Sequence, residues 1–279
     1  MTTYRVLSIA GAAARGGAGI QADLKTCQEL GVYGMSAITA IVAKNPRTGQ
    51  NIFPQTLDAI EAQIDTALCD IGADVIKTGM LFTTEIIYFV AGQLRLAQTD
   101  KIVVDPVMIG KIGSALLQDD AMQAMKTAII PQATIITPNM PEAEKLLGYP
   151  QGTLKNIADL KHAAKTLHAL GPTYVLVKGG RLEDDATDVL YDGTYYYVLH
   201  APRIDTIHTN GAGCTYSAAI AAELAKGTEM VEAVTIAKRF ITAAIRHGKP
   251  IGNTVGPTHH AAFNEYGETT VKVSIEHAN

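Results

Sequence analysis

A glycine-rich turn in the last third of the chain could hold a phosphate beside a thiol. Residues 208–220 read HTNGAGCTYSAAI, so Gly211, Ala212 and Gly213 precede Cys214 and an alanine-rich helical run follows. Free N–H groups at a helix start point the same way, and the helix dipole adds positive charge, which suits a phosphate. The same field would lower the pKa of the Cys214 thiol and favour it as a base or nucleophile. Alternatively, Cys214 is a small apolar side chain packed under the turn.

Phosphoryl transfer also needs cationic groups and a divalent metal near the phosphates, and four candidates follow predicted strands. They are Asp105 in VVDP, Asn139 and Glu142 in TPNMPEA, and Lys178 in VKGG. Each has an ordinary alternative: Asp105 can cap a turn before proline, Asn139 and Glu142 can cap the following helix, and Lys178 can be solvated. Their shared position after parallel strands, where open α/β sheets bind ligands, favours a common site.

A second glycine-rich turn lies between the first predicted strand and the first predicted helix. The segment SIAGAAARGGAGIQADLKT contains Gly11, Gly16, Gly17 and Gly19. This spacing is neither GxGxxG nor a Walker-type loop, and Lys44-Asn45 stand where a dinucleotide site has Asp or Glu, so a dehydrogenase is the weakest interpretation. We interpret the turn as part of a substrate pocket rather than as simple close packing. Asp23, one turn into the helix, is interpreted as a solvated charge.

The elements that position these residues are short β-branched runs alternating with helical patterns. Strands are predicted at residues 5–10, 35–43, 74–79, 101–106, 133–137 and 174–180. Continuous apolar runs of this kind are typical of strands covered on both faces. Apolar stripes predict helices over 57–71 and 157–167, and a long helix is predicted over 229–248. Asp192-Gly193 predicts a hairpin at the sheet edge. The tail past 257 has no clear signal.

This alternation predicts a three-layer α/β/α fold with a mostly parallel central sheet, helices on both faces and an edge β-hairpin. We find no linker, composition break or internal repeat in the sequence. We therefore expect one domain over residues 1–279.

Composition limits the class of partner. The formal net charge of -4 gives no basic excess, which argues against nucleic acid and anionic membranes as partners. Cys27, Cys69 and Cys214 lie far apart without a CxxC pair, so we expect neither disulfides nor structural zinc. The start lacks a signal-peptide pattern, and no run approaches the roughly 18 apolar residues of a membrane span. These patterns favour a cytoplasmic protein.

The motifs together resemble the ribokinase-like superfamily, and especially its hydroxymethylpyrimidine (phosphate) kinase and pyridoxal kinase branch, from Arg5 to about His260. The matching segments are GGAGIQADLKT, VYGMSAITA, KTGM, VVDPVM, TPNMPEAEKL, VKGG, NGAGCTYSAAI and VGP. The wider superfamily has a GAGD turn with Asp as base, whereas this branch has Cys there, and Cys214 occupies that position. The segments AIVAKNPRTGQNIFP, DVLYDG and RFITAAI resemble the Gram-positive pyridoxal kinase type.

The resemblance implies ATP-dependent phosphorylation of a hydroxymethyl group on a nitrogen heteroaromatic ring. Gly211, Ala212 and Gly213 would form the anion hole, and Cys214 would deprotonate the substrate hydroxyl. Glu142, through Mg²⁺ and water, would act on the ATP phosphates, and a monovalent cation is a further candidate cofactor. The matching nucleotide-site positions are Asp105, Asn139, Glu142, Leu176, Val177, Lys178, Gly179, Gly180, Asp188, Gly213 and Lys238. The matching ring-pocket positions are Gly11, Gly19, Asp23, Val42 and Lys44. Kinases of this family are commonly dimers, so we expect a homodimer.

Lys44 distinguishes two substrates. Thiamine enzymes typically have Gln or Glu at this position to pair with the aminopyrimidine, whereas a lysine only donates. We therefore expect pyridoxal, pyridoxine or pyridoxamine as the substrate, with hydroxymethylpyrimidine or its phosphate as the alternative. Residues 43–53 are polar and turn-rich, which makes them a candidate closing flap.

Two segments depart from the family pattern. The first turn usually reads GSDSSGGAG, but residues 11–19 read GAAARGGAG, and Asn-Thr-His before the anion hole is replaced by His208-Thr209-Asn210. These changes leave a third hypothesis open, namely a degenerate homologue that binds ligand with little turnover.

Overall fold

The computed structural model describes residues 3–108, 120–182, 185–253, 255–267 and 269–278. Strands within these ranges form one sheet in the order β10-β9-β8-β7-β6-β5-β4-β1-β2-β3. The strands are β1 (Arg5–Ala13), β2 (Tyr33–Val42), β3 (Ile52–Pro54), β4 (Val75–Thr78), β5 (Ile102–Val104), β6 (Ile135–Ile136), β7 (Tyr174–Val177), β8 (Asp188–Tyr191), β9 (Tyr195–His200) and β10 (Lys272–His277).

The helices are α1 (Ile20–Glu29), α2 (Leu57–Asp65), α3 (Thr84–Leu96), α4 (Ala121–Ala124), α5 (Met140–Leu147), α6 (Ile157–His168), α7 (Ala212–Ala225), α8 (Met230–Arg246) and α9 (Ala262–Tyr266). The predicted stripe over 57–71 is divided, because α2 continues into a π-helical turn over Thr66–Ile71. No helix within the described ranges is long and apolar enough to cross a membrane.

The six central strands, from β7 through β6, β5, β4 and β1 to β2, are parallel. Chain order reverses at β1, which pairs with β2 on one side and β4 on the other. Such a switch point leaves a crevice at the carboxyl ends of the strands, where ligands bind. The sheet therefore places the turns after β1 and β4 at the mouth of one crevice.

Helices cover both faces of the sheet. One apolar layer contains residues of α2 to α6, and the other contains residues of α1, α7 and α8. Alternate residues of one strand enter different layers, as shown by Val175 and Val177 in the first layer and Leu176 in the second. The predicted three-layer fold is confirmed, and the apolar strand runs reflect burial on both faces.

The predicted sheet edge differs from the observed one. The hairpin around Asp192-Gly193 is present as β8 and β9, but β10 pairs antiparallel with β9 and forms the outer strand. All six residues of β10 are exposed, so the tail had no buried alternation to reveal it. At the opposite edge, β3 pairs antiparallel with β2. The candidate flap 43–53 is therefore part of a hairpin, and its closure stays a prediction.

Strand β7 is shorter than predicted, ending at Val177 instead of residue 180. The N–H of Gly179 donates to the Asp188 carboxylate at 2.9 Å and so leaves the strand ladder. Strand β1 is longer than predicted, because Ala12 and Ala13 continue to pair with β2 beyond Gly11. Both differences occur where the chain enters the crevice.

Candidate active site

The two glycine-rich turns pack against each other at the crevice. Gly211 precedes α7 with φ of 81°, a left-handed conformation that favours glycine. A Cβ atom built on Gly211 would collide with the carbonyl oxygen of Gly17, and one built on Gly19 would collide with that of Gly11. Glycine is therefore required at Gly211, where the two turns meet, and at Gly19, where the first turn folds back on Gly11. The sequence contained both turns, but it did not show that they meet.

Cys214 lies where the starts of two helices meet. The N–H of Gly19, the N-cap residue of α1, donates to the Cys214 sulfur at 3.4 Å, and Cys214 itself is in the first turn of α7. Burial raises the pKa of the thiol to about 11, although Lys77 and the Gly19 N–H act in the lowering direction. The expected lowering of this pKa is therefore wrong, because the loss of hydration outweighs the helix starts.

An ion pair between Asp105 and Lys178 borders the start of α7, and we call it the outer pair. Lys178 Nζ lies 3.0 Å from Asp105 Oδ1, and only 3.4 Å from the place a Cβ on Gly213 would occupy. The lysine side chain is 10% exposed, so the solvated alternative for Lys178 is wrong. Burial acts to raise the pKa of Asp105, but Lys178 and Lys77 more than offset it and hold the pKa below its usual value.

Asn139 and Glu142 form a capping box at the start of α5. The Asn139 side chain accepts from the Glu142 N–H at 3.0 Å, and the Glu142 carboxylate accepts from the Asn139 N–H at 2.9 Å. The capping alternative is thus correct, and it leaves Glu142 buried. Burial raises its pKa to about 7 against the opposing effect of Lys178. This carboxyl group can change its charge near neutral pH.

Asp188 and Lys238 bind each other instead of facing open solvent. Lys238 Nζ lies 2.6 Å from Asp188 Oδ2, and the other Asp188 oxygen holds the N–H of Gly179. This pair therefore supports the turn that carries Lys178. Leu176 and Val177 are fully buried in opposite apolar layers, so only their main chain is available to a ligand. Gly180, at the end of the turn, is exposed.

The predicted ring-pocket positions differ in their exposure. Gly11 is buried beneath Met80, Val42 is half-buried and pairs with Ala13 at the end of β2, and Lys44 is exposed two residues further on. Gly19 contacts the sulfur of Cys214 as described. The predicted positions therefore surround the crevice from β1, α1 and β2, with Lys44 at its outer side.

Asp23 is not solvated, and this prediction is wrong. Its carboxylate oxygens each lie 2.8 Å from Lys77 Nζ, and Ser8 Oγ donates to it at 2.6 Å. We call Asp23–Lys77 the inner pair; its side chains are 1% and 0% exposed. A carboxylate so enclosed supports the site from below and is not open to a ligand.

Lys77 was assigned no role from the sequence. It lies in the apolar run 74–79, which was correctly predicted as a buried strand, and a lysine in such a strand requires a partner. A lysine in a strand predicted to be buried therefore indicated a buried ion pair. The partner was not identifiable, because Asp23 lies 54 residues earlier on α1.

The altered segment His208-Thr209-Asn210 anchors the C-terminal loop. His208 Nδ1 accepts from the Gly256 N–H at 3.1 Å, and Asn210 forms a parallel bridge with Pro257. Pro257 in turn lies against Gly17 of the first turn. The segment that departs from the family pattern therefore connects three loops at the crevice.

The chain is similar to known proteins over most of its length. A family model for phosphomethylpyrimidine kinase matches residues 14–259. The chain is 48% identical over 267 residues to the pyridoxine kinase of Bacillus subtilis, covering 94% of this chain and 98% of the relative. It is 42% identical over 265 residues to the hydroxymethylpyrimidine/phosphomethylpyrimidine kinase of the same organism, covering 94% and 97%.

A solved structure extends the similarity to three dimensions. The pyridoxal kinase of Staphylococcus aureus, in complex with AMP-PCP and pyridoxal, superposes with a TM-score of 0.90 and 40% identity, covering 99% of this chain and 100% of that one. The resemblance inferred from the motifs is confirmed. This chain therefore belongs to the phosphomethylpyrimidine kinase family and is a phosphotransferase of ribokinase-like fold.

Proposed function

We propose that this enzyme transfers the γ-phosphoryl group of ATP to the hydroxymethyl group of pyridoxal, pyridoxine or pyridoxamine. The observation that carries the proposal is the position of Cys214, in the first turn of α7 and in contact with Gly19 of the opposite turn. A hydroxyl group in the crevice would meet a proton acceptor and the N–H groups of a helix start together. The relatives named pyridoxine kinase and pyridoxal kinase support this choice of substrate.

In the proposed reaction, the substrate oxygen attacks the γ-phosphorus and the bond to the ADP oxygen breaks. The hydroxyl proton passes to Cys214, which requires the thiol to be ionised as the oxygen attacks. The N–H group of Gly213 would stabilise negative charge on the transferring group, with Lys178 beside it. The N–H of Ala212 would join it on release from the Thr209 carbonyl, to which it donates at 3.2 Å. Gly211 provides the left-handed turn that aims these groups.

We assign the ATP phosphates to the carboxyl ends of the central strands β6 and β7, where Asn139, Glu142 and Lys178 lie. A carboxylate oxygen is a ligand type that Mg²⁺ prefers, and at phosphate sites Mg²⁺ commonly uses one or two carboxylates, with water and phosphate completing the shell. Glu142 fits this role directly or through water, and the described residues contain no cluster of three metal-binding side chains that would hold an ion alone. Bound there, Mg²⁺ would neutralise phosphate charge. The relatives solved with ADP and AMP-PCP support ATP as the donor.

Hydroxymethylpyrimidine or its phosphate is the second candidate substrate, favoured by the 42% identical relative of that name. The residue that bears on the choice is Lys44, exposed beyond the end of β2. A lysine donates to an acceptor on the ring and cannot accept from an amino group. This favours the pyridine over the aminopyrimidine.

The experiment is ADP release measured side by side with pyridoxal, pyridoxine, pyridoxamine and hydroxymethylpyrimidine, with and without Mg²⁺. We expect Mg²⁺-dependent turnover of the vitamin B6 forms, and a shift of the kcat/KM ratio toward the pyrimidine in Lys44→Gln. Turnover of the pyrimidine alone would contradict the substrate proposed here. No turnover of any of the four would favour the degenerate homologue.

We also propose one cytoplasmic domain that forms a homodimer. The widely separated cysteines are free, which suits a reducing compartment. Light scattering of the purified enzyme at about 30 kDa or about 60 kDa decides between one copy and two, given a chain mass of 29.6 kDa.

A further inference from the structure

The inner pair lies directly beneath the crevice. Ser8 on β1 and Lys77 on β4 are partners in the parallel ladder, and Asp23 on α1 contacts both side chains. None of the three is more than 2% exposed. The ammonium group of Lys77 is thus fixed at the switch point of the sheet, although it cannot reach a substrate.

A short path connects this pair to Cys214. The Gly19 N–H donates to the Cys214 sulfur at 3.4 Å, and the Gly19 carbonyl accepts from the N–H of Asp23 at 3.0 Å. Asp23 then holds Lys77 through both carboxylate oxygens. One turn of α1 therefore fixes the sulfur on one side and the ammonium group on the other.

The burial of this pair is unusual for a purely structural element. Replacing a buried ion pair with apolar residues is often neutral or stabilising, because the attraction barely offsets the loss of hydration. Stability alone therefore does not explain a lysine in the middle of the sheet. Proximity to the thiol offers an explanation.

We propose that Lys77, held by Asp23 and Ser8, is a positioning residue whose ammonium group stabilises the ionised form of Cys214 during phosphoryl transfer. This inference rests on the proposed role of Cys214 as proton acceptor. Cys214 is half-buried, and its thiol must be ionised before the substrate oxygen attacks if it is to accept the hydroxyl proton. A fixed cation nearby lowers the free energy of that ionised state. Asp23 orients the cation and partly cancels its charge.

Other ionisable groups also act on the sulfur. Lys77 acts to lower the pKa of Cys214, and Asp23 and Asp105 act to raise it. Lys178 interacts favourably with the ionised thiol. His260, which bonds to the Thr215 hydroxyl at 3.1 Å, has its pKa lowered to about 4 by burial, so it stays neutral above that pH. The inner pair can therefore be tested by removing its two charges separately.

The test is the rate of iodoacetamide alkylation at Cys214, located by mass spectrometry, from about pH 6 to about pH 11. Because the pKa of the thiol is raised to about 11, the shift of the midpoint in each variant is read from the change in rate below it, where the rate is proportional to the ionised fraction. A Cys69→Ser background removes the exposed thiol. We expect Lys77→Met to raise the midpoint and to slow alkylation at pH 8 about 10-fold for each unit of that rise. We expect Asp23→Asn to lower the midpoint, because the cation remains without its counter-charge.

These opposite shifts separate an electrostatic role from a structural one. Loosening of the crevice would move both variants in the same direction, and that result, or no shift in either variant, would overturn the proposal. Should Lys77→Met fail to fold, the double variant Asp23→Asn/Lys77→Met removes both charges and must titrate above Asp23→Asn. Lys226→Met is the control, since it removes the partner of the buried Glu223 at the opposite end of α7 from Cys214, and we expect an unchanged midpoint.

Turnover provides the second readout. Because Lys77 is enclosed, we expect Lys77→Met to lower kcat and to leave the KM of the vitamin unchanged. Alkylation requires no phosphoryl transfer, so a failure of the proposed function can be told from a failure of the role proposed for Lys77. A wild-type enzyme inactive on every substrate would defeat the proposed function while the midpoint shifts are still measured, whereas an active enzyme with an unmoved thiol would defeat only the role of Lys77.

Discussion

The inner pair Asp23–Lys77 and the outer pair Asp105–Lys178 have the same chemistry but different access. Both join a buried carboxylate to a lysine at about 3 Å, and both lie close to the start of α7. The Lys77 side chain is 0% exposed, whereas that of Lys178 is 10% exposed and reaches the first turn of the helix. In the proposed reaction, the outer lysine would be the one that a phosphate reaches, while the enclosed inner lysine would act only through the protein. The two residues are of the same type, so what distinguishes them is the exposure of the side chain to the crevice.

The largest expected effect is on stability when the inner pair is broken. Lys77→Met leaves Asp23 buried without its counter-ion, and we expect the free energy of unfolding to fall by about 3–5 kcal/mol. The double variant Asp23→Asn/Lys77→Met should recover most of this loss, because no uncompensated charge stays buried. Urea denaturation followed by circular dichroism measures both. Equal losses in the single and double variants would contradict the assignment of the pair as a coupled unit.

Substitution of Lys178 in the outer pair should change mainly the kcat of the enzyme. Without a cation beside the anion hole, Lys178→Met should lower kcat about 10²–10³-fold, the size associated with losing one preorganised stabilising group. The measurement is ADP release at saturating substrate. Lys178→Arg keeps the positive charge and should retain more activity than Lys178→Met. A Lys178→Met enzyme within twofold of wild type would place Lys178 outside the reaction.

The contact between the two glycine-rich turns, which lies beside both pairs, is tested at Gly211. An alanine there meets the Gly17 carbonyl and must adopt a left-handed backbone, so we expect the free energy of unfolding to fall by about 1–3 kcal/mol. Gly180→Ala is the matched control, because no atom lies near its added Cβ and its φ is not positive. We expect the control to stay within about 0.5 kcal/mol of wild type. Similar losses in both variants would show that the contact between the turns is not tight.

The smallest effect is a pH dependence at Glu142. Its pKa is raised from 4.5 to about 7 in the folded chain, so the folded state binds the proton more tightly. The resulting stabilisation is complete at low pH and is lost as pH rises toward 7. In metal-free buffer, the unfolding free energy of wild type relative to Glu142→Gln should fall by about 1 kcal/mol between pH 6 and pH 7. A difference that rises over this interval would reverse the assigned shift.

The central sheet was predictable because its strands are continuous apolar runs covered on both faces. The outer strands were harder: β10 has six exposed residues and β3 has only three residues in total, so neither has a buried pattern. Strand ends also differed where a side chain took a backbone donor, as Asp188 does with the Gly179 N–H. Apolar periodicity predicts which residues are buried. It cannot predict where a side chain takes a backbone N–H from the strand ladder, as Asp188 does.

For the candidate site, residue types and strand ends identified Asp105, Asn139, Glu142 and Lys178 as one group. The error at Asp23 has a different origin. A carboxylate in the first turn of a helix is ordinarily solvated, and only the distant Lys77 changes that expectation. The sign of the Cys214 pKa shift was wrong for a related reason, because burial depends on elements distant in the sequence.

The contact between Gly19 and Cys214 joins residues 195 positions apart. On a ribosome adding about 5–20 residues per second, the first glycine-rich turn is made about 10–40 s before the cysteine it holds. A chain released before α7 contains the first glycine-rich turn but not the Cys214 that this turn holds, even though all the parallel strands have then been made. An interrupted synthesis product would thus contain most of the sheet and no completed phosphotransfer centre, because Cys214 is made only after all the parallel strands.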